Sequence, residues 1–179
     1  MTMGTMTNVQ PSDWVVRGAQ YISAGGHVLD LACGSGRHTR LFLSLDFTVT
    51  AVDIDVSSLG DIATDARCKV IQADLEKDNP WPLSECFDAV IITNYLYRPL
   101  YKYILQSLLP GGILIYETFM RGNEQYGKPN NPSFLLEENE LSDQFSGSMD
   151  ILGFEQGFVY EPKPACVQRL CARRLCTSG

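Results

Sequence analysis

Five short, nearly continuous apolar runs recur along the chain, separated by polar or helix-periodic stretches. VLDLAC (28–33) is apolar on both faces except at Asp30. FTVTAVDID (47–55), CKVIQAD (68–74), FDAVIITN (87–94) and ILIYETF (113–119) follow the same pattern. Runs of this length, rich in Val and Ile, predict strands buried on both faces, as in a parallel sheet. Between them the period changes to that of helices. Asp13 to Ser23 reads as a short helix presenting Trp14, Val15 and Gly18 or Ala19, ended by Gly25-Gly26. Arg37 to Leu45 places Leu41, Phe42 and Leu45 on one side. A helix is expected from Ser57 or Ser58, with Ser58 and Asp61 at capping-box spacing and Leu59, Ile62, Ala63 and Ala66 turned inward. Another should run from Pro99 to Leu109 and stop at Pro110-Gly111-Gly112, and one more from Glu137 to Phe145.

Strands alternating with helices imply an α/β, Rossmann-like, doubly wound sheet. The last two extended segments, near Ile151–Tyr160 and Cys166–Leu175, are joined only by Glu161-Pro162-Lys163-Pro164. So short a connection cannot make a parallel crossover, so the sheet should close with an antiparallel hairpin. Internal repeats and linkers are absent, so residues 13–176 read as one domain behind a disordered start at 1–12. Ligands of such sheets sit where the strands end at their carboxyl side. That selects Asp30 to Gly36, Asp53, Asp74, Asn94 and Glu117.

Composition narrows the partners. A net charge of −7 disfavours nucleic acid, whose phosphates require a basic face. The basic cluster Arg169, Arg173 and Arg174 reads as a solvated strand end. No apolar run is long enough for a membrane helix, and MTMGTMTNVQ lacks the blocks of a signal peptide, so a cytoplasmic location is expected. The six cysteines form no CxxC pair, so no metal site is expected.

Gly34 and Gly36 follow the first strand and precede a helix. Such a turn lets a ligand approach the backbone, and the helix start offers free N–H groups. A dinucleotide reading, and with it an NAD-dependent oxidoreductase, meets two objections. The third glycine of G-x-G-x-x-G is missing from Gly34-Ser35-Gly36-Arg37-His38-Thr39, and the carboxylate of Asp30 would repel a diphosphate. S-adenosyl-L-methionine reverses the second objection, since its ammonium suits Asp30 and its carboxylate suits the helix start and Arg37. Asp53 is placed to take the ribose hydroxyls, although NAD would want that acid too. Asp74 is placed to accept from the adenine amino group. Each acid also has a plain role, as a turn cap, a helix cap or a solvated loop acid.

Taken together, DLACGSG, TAVDID, QADLE, FDAVIITNYLYRPL and LLPGGILIYETF resemble, in order and spacing, the motifs of class I S-adenosylmethionine-dependent methyltransferases. The resemblance covers about residues 13 to 175, and ACGSGRH is similar to the branch that includes tellurite-resistance-type enzymes. It implies a seven-stranded sheet with an antiparallel last strand. It also implies that Ala32, Ile54 and Leu75 border the cofactor with the acids above, and that Arg17 reaches the methionine carboxylate. Asn94 and Tyr95 would flank the methyl group and the acceptor.

Methyl transfer is an in-line displacement for which alignment supplies much of the acceleration. Acceptor-side candidates are Tyr95, Tyr97, Arg98 with its guanidinium fork, and Glu117, each with an ordinary packing or solvated alternative. His38, in the first turn after the glycine loop, is a candidate neutral base or a packing residue. Residues 121–133 form a long polar connection that reads as a lid carrying Tyr126, or as a plain surface loop. The expected protein is a methyltransferase, monomeric or homodimeric, for a small-molecule acceptor. A cofactor-binding partner without catalysis is the rival from another class.

Overall fold

The structure is a computed structural model that describes residues 10–77 and 81–176. Seven strands form one sheet in the order β3-β2-β1-β4-β5-β7-β6. They are β1 (His27–Leu31), β2 (Thr48–Asp53), β3 (Cys68–Gln72), β4 (Phe87–Thr93), β5 (Leu108–Phe119), β6 (Met149–Val159) and β7 (Ala165–Arg174). The first five pair in parallel, and β7 runs antiparallel between β5 and β6. The expected fold class and closing hairpin are both observed.

Side chains of the central strands alternate between two apolar layers. Val28, Val49, Ala89, Ile91, Ile113 and Ile115 pack with Trp14 and Val15 of α1 (Asp13–Gly18) and Phe42 of α2 (Arg37–Ser44). Leu29, Leu31, Val90, Ile92 and Leu114 pack with Ile104 of α3 (Tyr101–Ser107) and with Leu141 and Phe145 of α4 (Glu140–Phe145). Burying each of these side chains contributes about 1.5–3 kcal/mol, which is why every strand of the centre is apolar on both faces. Gly18 lets α1 lie close to the sheet, because a Cβ there would meet Ile115 Cδ1 at 2.6 Å.

Several boundaries differ from expectation. No helix spans residues 57–66; a 3₁₀ turn at Ser57–Leu59 is followed by irregular turns. Arg40 is the reason. Its guanidinium holds the Asp61 carboxylate, diverting it from the Ser58 N–H it would cap, and also donates to the Ser58 carbonyl, while of these residues Leu59 alone is fully buried. Strand β5 starts at Leu108 instead of Ile113, and Pro110-Gly111-Gly112 is accommodated by a register shift opposite Phe87–Ala89. Helix α4 begins at Glu140, after Asn139 at φ +60°.

The chain start also differs from expectation where it is described. Ser12 caps α1 by accepting from Trp14 N–H at 3.2 Å, and Arg37 Nη1 donates to the Gln10 carbonyl at 3.2 Å. The expected disorder of residues 1–9, and residues 78–80 of the expected loop at 76–83, lie outside the described residues.

Candidate active site

The order of strands reverses at β1, which has β2 on one side and β4 on the other. A crevice opens at that point past the carboxyl ends of the strands. Four residues around it have left-handed backbones: Ala32 at φ +54°, Gly34 at +55°, Gly36 at +76° and Asn94 at +55°. For Ala32 and Asn94 this conformation is costly, and such strain gathers at binding sites. The two glycines serve different ends. A Cβ on Gly36 would meet Leu59 Cδ2 at 2.5 Å, so this glycine is needed for packing as well as for φ. A Cβ on Gly34 would meet nothing within 4 Å, so the chain there borders open space.

Asp53 and the glycine loop are tied together. Gly34 N–H donates to Asp53 Oδ2 at 2.8 Å and Asp55 N–H to Oδ1 at 3.0 Å. Each oxygen keeps a second acceptor position, and the side chain is half-exposed. Asp74 accepts from Glu76 N–H at 3.0 Å and lies 3.6 Å from Lys77 Nζ. Ile54 is exposed and Leu75 half-buried beside these acids, and Gln72 Nε2 donates to the Ile54 carbonyl at 3.0 Å.

Asp30 lies below the loop, 2% exposed. Thr39 Oγ1, in the first turn of α2, donates to its Oδ2 at 2.6 Å. Its carboxylate therefore holds the helix start in place from beneath. Burial pushes its pKa up to about 6, against the lowering effect of the Thr39 bonds and Arg37.

His38 is buried and serves as a strut. Its Nε2 accepts from Ser12 N–H at 3.1 Å, and its Nδ1 lies 3.5 Å from Thr93 Oγ1. Burial, with Arg37 adding to it, lowers its pKa to about 3, so the ring is neutral with the Nε2 lone pair already used. The packing reading of His38 is the one observed.

Two cavities flank the crevice. One of about 480 Å³ begins at Asp74 and Leu75 and continues past Trp81, Tyr97 and Tyr103. The other, about 510 Å³, begins at Arg37 and Asn94 and reaches Glu117, Phe119, Val167 and Arg169. Its wall on the α1 side is the N-terminal segment Gln10 to Asp13, which Arg37 and His38 fasten.

Of the acceptor-side candidates, Glu117 lines this second cavity. The others are engaged elsewhere. Arg98 cannot present its fork as expected, because Nε and Nη2 grip both oxygens of Glu140 at 2.7 and 2.8 Å, and Nη1 and Nη2 donate to the carbonyls of Ser133 and Leu135. Tyr97 lines the cavity on the Asp74 side and donates to the Glu76 carbonyl at 3.3 Å. Tyr95 accepts at its carbonyl from Tyr116 Oη, while its own hydroxyl is buried without a partner among the described residues. Tyr126 packs on Phe158, ring centroids 4.9 Å apart. The loop at 121–133 is pinned by Asn123, whose Oδ1 accepts from Cys166 N–H and whose Nδ2 donates to the Pro129 carbonyl. Arg17 meets Glu155 Oε1 at 3.3 Å and lies over the Trp14 ring, engaged on β6 and not at the glycine loop.

Arg169 is the residue that sequence reasoning misplaced. It lies mid-strand on β7, its side chain 17% exposed, with Nε on Glu117 Oε2 and Nη1 3.3 Å from Glu155 Oε2. The signal was present: every second residue of β7 from Ala165 to Cys171 is apolar except this one.

Comparisons with known proteins agree with the fold. Residues 28–112 match the family model of a methyltransferase domain. TehB from Haemophilus influenzae superposes with a TM-score of 0.75 at 22% identity, over 92% of this chain and 62% of that one. The chain thus spans less than two thirds of that protein's length. The 1,6-didemethyltoxoflavin-N1-methyltransferase of Burkholderia thailandensis, solved with 1,6-didemethyltoxoflavin and S-adenosylhomocysteine bound, gives 0.68 at 19% identity, over 91% of this chain and 77% of that one. The N-methyltransferase NodS from Bradyrhizobium japonicum, in complex with S-adenosylhomocysteine, gives 0.70 at 14%, over 89% and 83%. Among curated protein sequences none matches the chain.

Proposed function

Over residues 28–112 the chain belongs to the class I S-adenosylmethionine-dependent methyltransferase family, and from that premise we propose that it moves the methyl group of S-adenosyl-L-methionine to a small-molecule acceptor. The observation that carries the reading is Asp53, half-exposed at the end of β2 and bonded to a left-handed glycine loop that leaves open space at Gly34. The bound cofactor supplies an electrophilic methyl on a sulfonium. The chain's own groups bind and align it. Asp53 takes the ribose hydroxyls, Ile54 and Leu75 cover the adenine faces, and Asp74 accepts from the adenine amino group. Gly34 admits the ligand to the backbone, and Arg37 with the start of α2 faces the carboxylate. Asp30, buried and bonded to Thr39, holds the start of α2 in register for the cofactor's ammonium end. Arg17 joins this set only by releasing Glu155. Ala32 and Asn94 border the methyl end, where the cavity at Glu117 receives the acceptor.

A small acceptor fits a cavity of about 510 Å³ better than a polymer would, and a chain of net charge −7 lacks the basic face that nucleic acid needs. Two of the structural neighbours bear names of N-methyltransferases, one solved with its small aromatic ligand. No helix among the described residues is long and apolar enough to cross a membrane. A cytoplasmic location and a monomeric or homodimeric state are part of the same proposal. Calorimetric titration with S-adenosylmethionine, S-adenosylhomocysteine and NAD tests it. Micromolar binding of the first two without NAD is expected, whereas binding of NAD alone would move the reading to hydride transfer. Cofactor binding with no turnover on any acceptor would favour a non-catalytic partner.

A further inference from the structure

We propose that Glu117 seats the acceptor and that the acceptor is an amine bearing an N–H, an inference that rests on the methyltransferase reading. The pleat sends Glu117 and Phe119 of β5, and Ala165, Val167 and Arg169 of β7, to one face. Val159 of β6 stands opposite Ala165 on that face. Together they line the cavity next to Asn94, whose N–H donates to the Glu117 carbonyl at 2.9 Å. The lining is mixed: Phe119, Val159, Ala165 and Val167 are apolar, Asp13, Arg37, Glu161 and Lys163 carry charge, and Glu117 with Arg169 forms an ion pair on the floor, the sheet side.

That floor has a free acceptor. Arg169 Nε occupies Glu117 Oε2, and Nη1 reaches on to Glu155 Oε2 at 3.3 Å. Among the described residues Glu117 Oε1 has no hydrogen-bond donor, and its carboxylate lines the cavity. The side chain that carries it is only 10% exposed, so this oxygen gains a partner mainly from an occupant of the cavity. Arg169, bridging carboxylates on both neighbouring strands, is a positioning residue that fixes which oxygen is presented.

The chemistry of a carboxylate selects nitrogen. A carboxylate is too weak a base to make an alkoxide, whereas an amine nitrogen already carries the attacking lone pair. That pair forms the new N–C bond as the C–S bond breaks, its electrons going to sulfur. The nitrogen gains positive charge opposite Glu117 Oε1, then gives up its proton to that oxygen and on to water. A negative group fixed where positive charge develops accelerates the step without reorganising. Arg37, Lys163, Asp13 and Glu161 stand around the same cavity with compensating charges, so the paired carboxylate on the floor is what distinguishes an N–H donor from an anionic acceptor.

The test uses the full-length protein and a ring-matched panel of aniline, 2-aminopyridine, phenol, thiophenol and benzoate. Ligand-observed NMR on the S-adenosylhomocysteine complex reads binding, and transfer from methyl-labelled S-adenosylmethionine reads the methylated atom. Binding and label on nitrogen are expected. Glu117→Gln should lower turnover about a hundredfold, with cofactor affinity unchanged. Arg169→Met should raise the amine's KM with cofactor affinity held and lower the melting temperature, because it leaves the buried Glu117 unpaired, and Arg169→Lys should restore both in part. Label on oxygen, sulfur or carboxylate, no binding by either amine, or undiminished turnover in Glu117→Gln would overturn the proposal. Failure to bind S-adenosylhomocysteine would instead refute the methyltransferase reading beneath it.

Discussion

Asp30→Asn separates the electrostatic cost of the buried acid from its role as a tether. The folded protein holds this carboxyl at a pKa of about 6, against an ordinary value of 3.8, because burial penalises the charge. Between those values the folded state binds more protons than the unfolded chain, so this group's contribution to stability falls as pH rises through the window and is level above it. About two pKa units at 1.36 kcal/mol each amount to about 3 kcal/mol. Asparagine does not titrate and can still accept from Thr39. The unfolded carboxyl is already mostly ionised at pH 4, so the stability of the variant relative to wild type should be about 2.4 kcal/mol more favourable at pH 7 than at pH 4, a swing of roughly 5–10 °C in Tm for a domain of this size. Melting curves of both proteins at pH 4, 5, 6 and 7 measure it, and groups common to both, His38 included, cancel in the difference. Parallel Tm profiles would mean that Asp30 is not desolvated, and that the loop is not held from beneath by a buried charge.

Gly34→Ala should cost about 1–2 kcal/mol of stability from its left-handed backbone alone and weaken S-adenosylmethionine binding, since its Cβ enters open space; Gly36→Val should unfold the protein further by striking Leu59. Chemical denaturation and calorimetry on the two variants distinguish these effects. Asp53→Ala should lose about 2 kcal/mol of cofactor affinity, from charge-assisted bonds to the ribose, and unchanged affinity would put the ribose elsewhere. Arg98→Ala should lower stability by about 2 kcal/mol through the loss of its grip on Glu140 and two carbonyls, while leaving acceptor KM unaltered; a raised KM with stability intact would return Arg98 to the acceptor site.

The parallel sheet was legible because β1, β2 and β4 are apolar on both faces, and a pattern of that kind has few other uses. The glycine loop was legible because a strand, two glycines and a helix start stand in immediate succession. What escaped notice depended on contacts between distant residues. Ser58 and Asp61 are spaced as a capping box, yet Arg40 of α2 takes the Asp61 carboxylate. Arg98 looks like a free fork at a helix start until Glu140, 42 residues on, closes on it. Arg169 looks like one of three solvated arginines, but cross-strand pairing with Glu117 and Glu155 makes it half of a buried ion pair. Local pattern reports periodicity and turn chemistry; it does not report which charge another charge will meet. Asp30 stands between these cases, since its exceptional position was visible and its partner Thr39 was not.

The most direct test of the cofactor site is a crystal structure of the protein soaked with S-adenosylhomocysteine. The ribose hydroxyls are expected within hydrogen-bond distance of Asp53, with the adenine between Ile54 and Leu75 and the thioether end at Asn94, facing the cavity of Glu117. Density for the nucleoside anywhere else, with the glycine loop empty, would contradict the assignment of the crevice and every role derived from it.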